Sequence, residues 1–135
     1  MRLLIDANVV LDVLLKREPY WKSSSIIWKL CEAEQAEGYV SVLTFANLVY
    51  VMRKELNAEQ VRDVLNKLRL IFHFADFSAA DMEKAAEMKW DDFEDAVQAA
   101  MAERIAADFI VTRNVRDFKR CKIAAFTPSE LIDRI

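Results

Sequence analysis

Two short apolar runs, about a hundred residues apart, end in the same way and limit what this chain can become. Arg2-Leu3-Leu4-Ile5 stops on Asp6-Ala7-Asn8, and Phe109-Ile110-Val111 stops on Thr112-Arg113-Asn114, with Asp117 soon after. An unbroken apolar run suits a central parallel strand, covered on both faces, better than an edge strand that alternates apolar and polar residues. Parallel strands deliver whatever follows them to one rim of the sheet. In open α/β sheets that rim, outside the carboxyl ends of the strands, is where ligands bind. Asp6, Asn8, Asn114 and Asp117 are therefore expected to be neighbours.

The rest of the sequence agrees with one compact α/β unit over residues 1–135. A chain of 135 residues with 54% hydrophobic content can build one core and has little room for two. One glycine and two prolines leave no linker, and no repeat or low-complexity tract is present. Only Met1 and Arg2 precede the short apolar run that ends on Asp6, too short for a signal peptide or a membrane span, so a cytoplasmic protein without membrane contact is expected. Cys31 and Cys121 have no cysteine or histidine nearby at metal-ligand spacing and read as buried, reduced thiols. A net charge of −3 disfavours nonspecific coating of nucleic acid. Locally, however, Arg113, Arg116, Lys119, Arg120 and Lys122 surround Asp117, a basic patch able to bind phosphate beside the acidic rim.

Taken in order, the chain alternates strands and helices. After the first strand, Val9, Val10, Val13 and Leu14 recur at helical spacing up to Lys16-Arg17. The pattern predicts a long helix from Tyr20 to Glu37 stopped by Gly38, a strand over 39–42 and a helix from Thr44 to Leu56. Asn57 with Gln60, and Thr127 with Glu130, form capping boxes; Ser78 caps a further helix, and Phe93–Ile105 is an alanine-rich one. Strands are predicted at 72–75, 109–111 and 124–126. Such alternation implies a parallel sheet with right-handed crossovers.

A helix that feeds directly into a parallel strand runs opposite to it, so the helix from Phe93 begins at the rim where the strand 109–111 ends. Asp92 and Asp95 then join Asp6 and Asp117. Each acid singly is ordinary: Asp6 a helix cap, Asp92 and Asp95 first-turn acids, Asp117 a turn residue. Jointly they are costly, because two like charges about 4 Å apart repel by roughly 4 kcal/mol at an effective dielectric of about 20. Protonation, a basic partner or a divalent cation must offset this, and oxygen donors of this kind select Mg²⁺ or Mn²⁺.

Asp6-Ala7-Asn8, Asp92-Phe93-Glu94-Asp95-Ala96 and Thr112-Arg113-Asn114-Val115-Arg116-Asp117-Phe118 together resemble the motifs of PIN domains, in particular the VapC-like group. The resemblance implies a three-layer α/β/α fold around a parallel sheet of order 3-2-1-4-5. It also implies an Mg²⁺- or Mn²⁺-dependent ribonuclease, often the toxin of a toxin–antitoxin pair and commonly a homodimer. By motif position Asp6, Asp95 and Asp117 match the metal-binding acids, and Asn8, Thr112 and Asn114 the supporting polar residues. Thr44 is followed by Asn47 where many members carry a glutamate, so Asp92 is a candidate replacement for the missing acid. Arg113 and Arg116 are candidates for RNA phosphates. The alternative is a weak or inactive PIN-like module that binds RNA or a protein partner. With one glycine there is no P-loop or dinucleotide fingerprint, and no nucleophile elbow or acidic phospho-acceptor pattern is present.

Overall fold

The computed structural model describes all 135 residues, Met1–Ile135. Five parallel strands, β1 (Arg2–Ile5), β2 (Glu37–Ser41), β3 (His73–Ala75), β4 (Phe109–Val111) and β5 (Ala124–Phe126), form one sheet in the order β3-β2-β1-β4-β5. β1 is central, with Leu4 opposite Tyr39 on one side and Ile110 on the other. Around the sheet run α1 (Ala7–Leu14), α2 (Trp21–Glu32), α3 (Val42–Met52), α4 (Ala58–Ile71), α5 (Ala79–Met88), α6 (Phe93–Arg104) and α7 (Pro128–Arg134). No helix is long and apolar enough to cross a membrane.

Successive residues of β1 divide the core, because strand side chains alternate faces. Leu3 and Ile5 pack with Val9 and Val10 of α1, Ile27 of α2, Leu48 and Met52 of α3, Val61 and Leu68 of α4 and Leu131 of α7. Leu4 points the other way, onto Ala99 and Ala102 of α6 and Ile110 of β4. The result is the three-layer α/β/α arrangement expected. Ala96, Ala99, Ala100 and Ala102 are each at most 1% exposed, so small side chains let α6 lie close against the sheet.

The capping residues stand where the sequence puts them: Asn57–Gln60, Ser78–Asp81 and Thr127–Glu130 form reciprocal boxes. Several boundaries differ. The second helix ends at Glu32, not Glu37, with Glu34 at a left-handed φ of 59° just beyond it. Gly38 is consequently not a helix stop but the second residue of β2. It is required there by close approach: a Cβ would meet Cys31 Sγ at 2.7 Å, Phe72 Cδ1 at 2.9 Å and Ile5 Cδ1 at 3.0 Å. β2 thus starts two residues early, and α3 follows at once from the Ser41 cap, spanning Val42–Met52 in place of 44–56. Both thiols are free; Cys31 is buried and Cys121 only partly so.

Candidate active site

All the elements that matter end or begin at the carboxyl rim of β1 and β4. Asp6 leaves β1 and caps α1, its carboxylate accepting from the Asn8 backbone N–H at 3.4 Å. Its other oxygen accepts from the buried Thr112 hydroxyl at 2.8 Å, and Thr112 Oγ1 in turn accepts from the Asn114 N–H at 3.1 Å. These three contacts tie the ends of two adjacent strands and leave the Asp6 carboxylate little freedom to turn. Asp92 caps α6 by accepting from the Asp95 N–H at 3.0 Å, so the everyday capping role and the rim position coexist. Asp117 lies in a single 3₁₀ turn, Val115–Phe118, just after β4.

Asp95 is where the acids meet. Its pKa is pushed up from 3.8 to about 6, first by burial and then by the negative charges of Asp92, Asp117, Asp6 and Glu94. Four carboxylates therefore act on a fifth. Two cavities share Asp95: an inner one of about 260 Å³ whose walls include Asp6, Asn8, Thr44, Asn47, Gln98 and Asn114, and an outer one of about 200 Å³ whose walls include Asp92, Arg116 and Asp117. A roomier hollow of about 380 Å³, touching Cys31, Glu37 and His73, lies at the opposite, amino-terminal end of the strands. It is lined by Glu32, Glu34, Glu37 and Arg69 and by none of the rim aspartates, while a still roomier hollow of about 430 Å³ lies at the rim itself, against Arg113, Arg116 and Asp117.

The donors are hard oxygens: carboxylates, amides and a hydroxyl, with no sulfur or imidazole among them. In kind they suit Mg²⁺ or Mn²⁺. In arrangement, no three acidic, histidine or cysteine side chains are grouped tightly enough to chelate one ion. Asp6 reaches Asp95 across the inner cavity, while Asp92 and Asp117 reach it across the outer one.

Arg113 is turned inward. Its Nε lies 3.2 Å from Asp12 Oδ2, and its guanidinium carbon sits 4.4 Å over the Tyr20 ring. Asp12 is fully buried on α1, with Arg17 a second cation at 4.0 Å. Burial pushes the Asp12 carboxyl up and outweighs the pull of Arg113 and Arg17, with Asp6 adding to the rise. Arg116 is exposed beside Asp117 and is the freer cation. Sequence reasoning passed over Asp12 and Gln98. The available signal was the same for each: one polar residue set in an apolar helical run, Val9-Val10-Leu11-Asp12-Val13 and Ala96-Val97-Gln98-Ala99. Of the remaining aromatics, Trp28 packs edge-on against Phe72, and His73 stacks on Tyr39 at the sheet edge, away from the rim.

Residues 2–116 match a family model described as the PIN domain. The chain belongs to the PIN domain family. Solved structures similar to this PIN domain include VapBC2 from Rickettsia felis bound to a DNA fragment from their promoter, at 20% identity and a TM-score of 0.73 over 94% of this chain and 98% of that one. A toxin–antitoxin complex from Klebsiella pneumoniae is similar at 20% identity and a TM-score of 0.70, over 93% and 96% of the two chains. VapC20 from Mycobacterium tuberculosis, a toxin that cleaves the sarcin-ricin loop, is more distant, at 11% identity and a TM-score of 0.63 over 80% and 86%. At such identities the likeness concerns the fold. A comparison with curated protein sequences finds no match.

Proposed function

We propose that this PIN domain is a divalent-cation-dependent endoribonuclease that hydrolyses RNA phosphodiester bonds at the β1/β4 rim. The observation that carries the reading is the convergence of Asp6, Asp92 and Asp117 on Asp95, which makes an ionised cluster expensive without a compensating cation. Asp6, Asp95 and Asp117 would supply the carboxylates for Mg²⁺ or Mn²⁺, no more than two of them to one ion as they stand, and the chemistry such an ion supplies is activation of water at neutral pH and neutralisation of charge on the leaving oxygen. Asp6 is oriented for this by Thr112 and Asn8, and Asn114 holds Thr112 in turn. Asp92 keeps the start of α6 in place and adds negative charge beside Asp95. Thr44 and Asn47 contribute uncharged polar groups to the inner cavity. Arg116 meets RNA phosphate beside Asp117, and Arg113, held by Asp12, offers the remainder of its guanidinium to the same edge.

The toxin–antitoxin complexes among the structural neighbours support a toxin role with an antitoxin protein as partner; a cytoplasmic location and a homodimer as the working form belong to the same proposal and rest on the sequence reading alone. The test is cleavage of a mixed RNA panel in Mg²⁺ or Mn²⁺ by the natural chain and by Asp6→Asn and Asp95→Asn. Loss of cleavage in both variants is expected; cleavage that survives both assigns the activity elsewhere. A second reading, an inactive module that binds RNA or a protein partner, is favoured by Asn47 and by the lack of any closely grouped trio of acids. It predicts RNA retention without cleavage under every metal condition.

A further inference from the structure

Gln98 is a buried side chain whose amide oxygen has no partner. It is 6% exposed, its side-chain oxygen is enclosed, and no side-chain hydrogen bond satisfies it. Its neighbours along α6 are Ala96, Val97, Ala99 and Ala100, all buried against the sheet. Native proteins rarely bury an amide oxygen without a donor, since the group gives up water and gains nothing. A side chain required only to fill this space would be apolar.

Its position gives the reason. Gln98 follows Asp95 by three residues, which places both on one face of α6, and both line the inner cavity with Asp6. At about 260 Å³ that cavity has room for several water molecules, each of which takes about 30 Å³ in the liquid. The carboxylates of Asp6 and Asp95 are the charged groups that draw a cation into it. Mg²⁺ in particular binds through one or two carboxylates and keeps several waters. Water on a cation donates hydrogen bonds and does not accept them, so a hydrated ion between Asp6 and Asp95 needs acceptors around it. A third carboxylate would provide one, at the cost of a further negative charge beside Asp95. An amide provides one with no charge, and a half-turn about its last bond exchanges the enclosed oxygen with the amide nitrogen at the cavity wall.

We propose that the side-chain oxygen of Gln98 accepts a hydrogen bond from water carried by the divalent cation at Asp6 and Asp95, making Gln98 a residue that positions the hydrated ion. The inference rests on the nuclease reading and is separable from it by measuring the cation directly. Mn²⁺ binding is followed by electron paramagnetic resonance on the full chain without RNA, and melting temperature is read in chelator. Gln98→Met keeps the length of the side chain and removes both polar atoms. It should bind Mn²⁺ about tenfold more weakly, the usual scale for losing such a partner, while melting higher than the natural chain in chelator because an orphaned amide is gone. Gln98→Glu restores an acceptor with a charge; it should bind Mn²⁺ at least as tightly as the natural chain and melt lower in chelator. Unchanged Mn²⁺ affinity in Gln98→Met overturns the role of Gln98 and leaves the nuclease reading standing. If Gln98→Met does not fold, Gln98→Glu decides, and an affinity below that of the natural chain overturns the inference. Absence of Mn²⁺ binding by the natural chain overturns both.

Discussion

Asp95→Asn should make the protein more stable, and only above mildly acidic pH. In the folded chain the Asp95 carboxyl has its pKa at about 6, against 3.8 in the ordinary state. Between those values the folded form holds a proton that the unfolded form has released, so stability falls as pH rises from about 4 to about 6 and is level beyond. The displacement is about two decades of proton affinity, which at about 1.4 kcal/mol per decade sets a ceiling of about 3 kcal/mol. Asp95 is only partly buried, and water screens the charges around it, so about half of that is realistic. Asparagine also forfeits an acidic interaction with the amino end of α6, about 0.5 kcal/mol. A net gain of about 1 kcal/mol remains, or about 3 to 4 °C in melting temperature for a domain of this size. Thermal unfolding followed by circular dichroism, with chelator present, from pH 4 to pH 7.5 reads this directly. The two proteins should melt together near pH 4 and separate by pH 7. A variant equally or less stable at pH 7, or an advantage that does not change with pH, would refute the account of Asp95 as an acid held against its own charge.

The other predictions concern how the rim is held. Asp12→Ala leaves Arg113, whose side chain is 26% exposed, without its carboxylate but also removes a desolvated charge, and should cost about 1 kcal/mol in urea unfolding; no loss, or a gain, would show that Asp12 does not anchor the loop after β4. Gly38→Ala forces a Cβ against Cys31, Phe72 and Ile5 and should cost about 1 to 3 kcal/mol, part of which Cys31→Ala recovers in the double variant. Strict additivity of the two changes would rule out the contact as the cause. At Asp81, burial works against the charge, but hydrogen bonds from Arg104 and from the Ser78 backbone and hydroxyl outweigh it and hold the carboxyl below its usual range. Its contribution is therefore present above about pH 4 and lost as pH falls through the lowered value. Arg104→Ala should weaken the α5–α6 contact, and the natural chain should lose more stability than this variant on acidification below pH 4; parallel acid profiles would contradict it.

Much of this molecule was legible in one dimension because the signals are local. An apolar run that stops on an acid, a capping residue three places before its partner, and alanines at helical spacing each report a backbone preference expressed within a few residues. From these the alternation of strands and helices follows, with it the parallel sheet, and with that the arrival of Asp6, Asp95 and Asp117 at one rim. What local signals could not carry is anything set by close approach across the fold. Gly38 reads as a helix stop along the chain, yet its role is to admit Cys31, Phe72 and Ile5 from three other segments. Arg113 reads as a free cation in a basic patch, yet a buried aspartate a hundred residues earlier turns it inward. Gln98 is unremarked among alanines until the packing of α6 encloses it beside Asp95. The sequence alone decided which residues reach the rim, because strand direction and helix caps are short-range. The tertiary structure decided which of them are charged, paired or left without a partner, because those properties depend on what the whole fold removes from water.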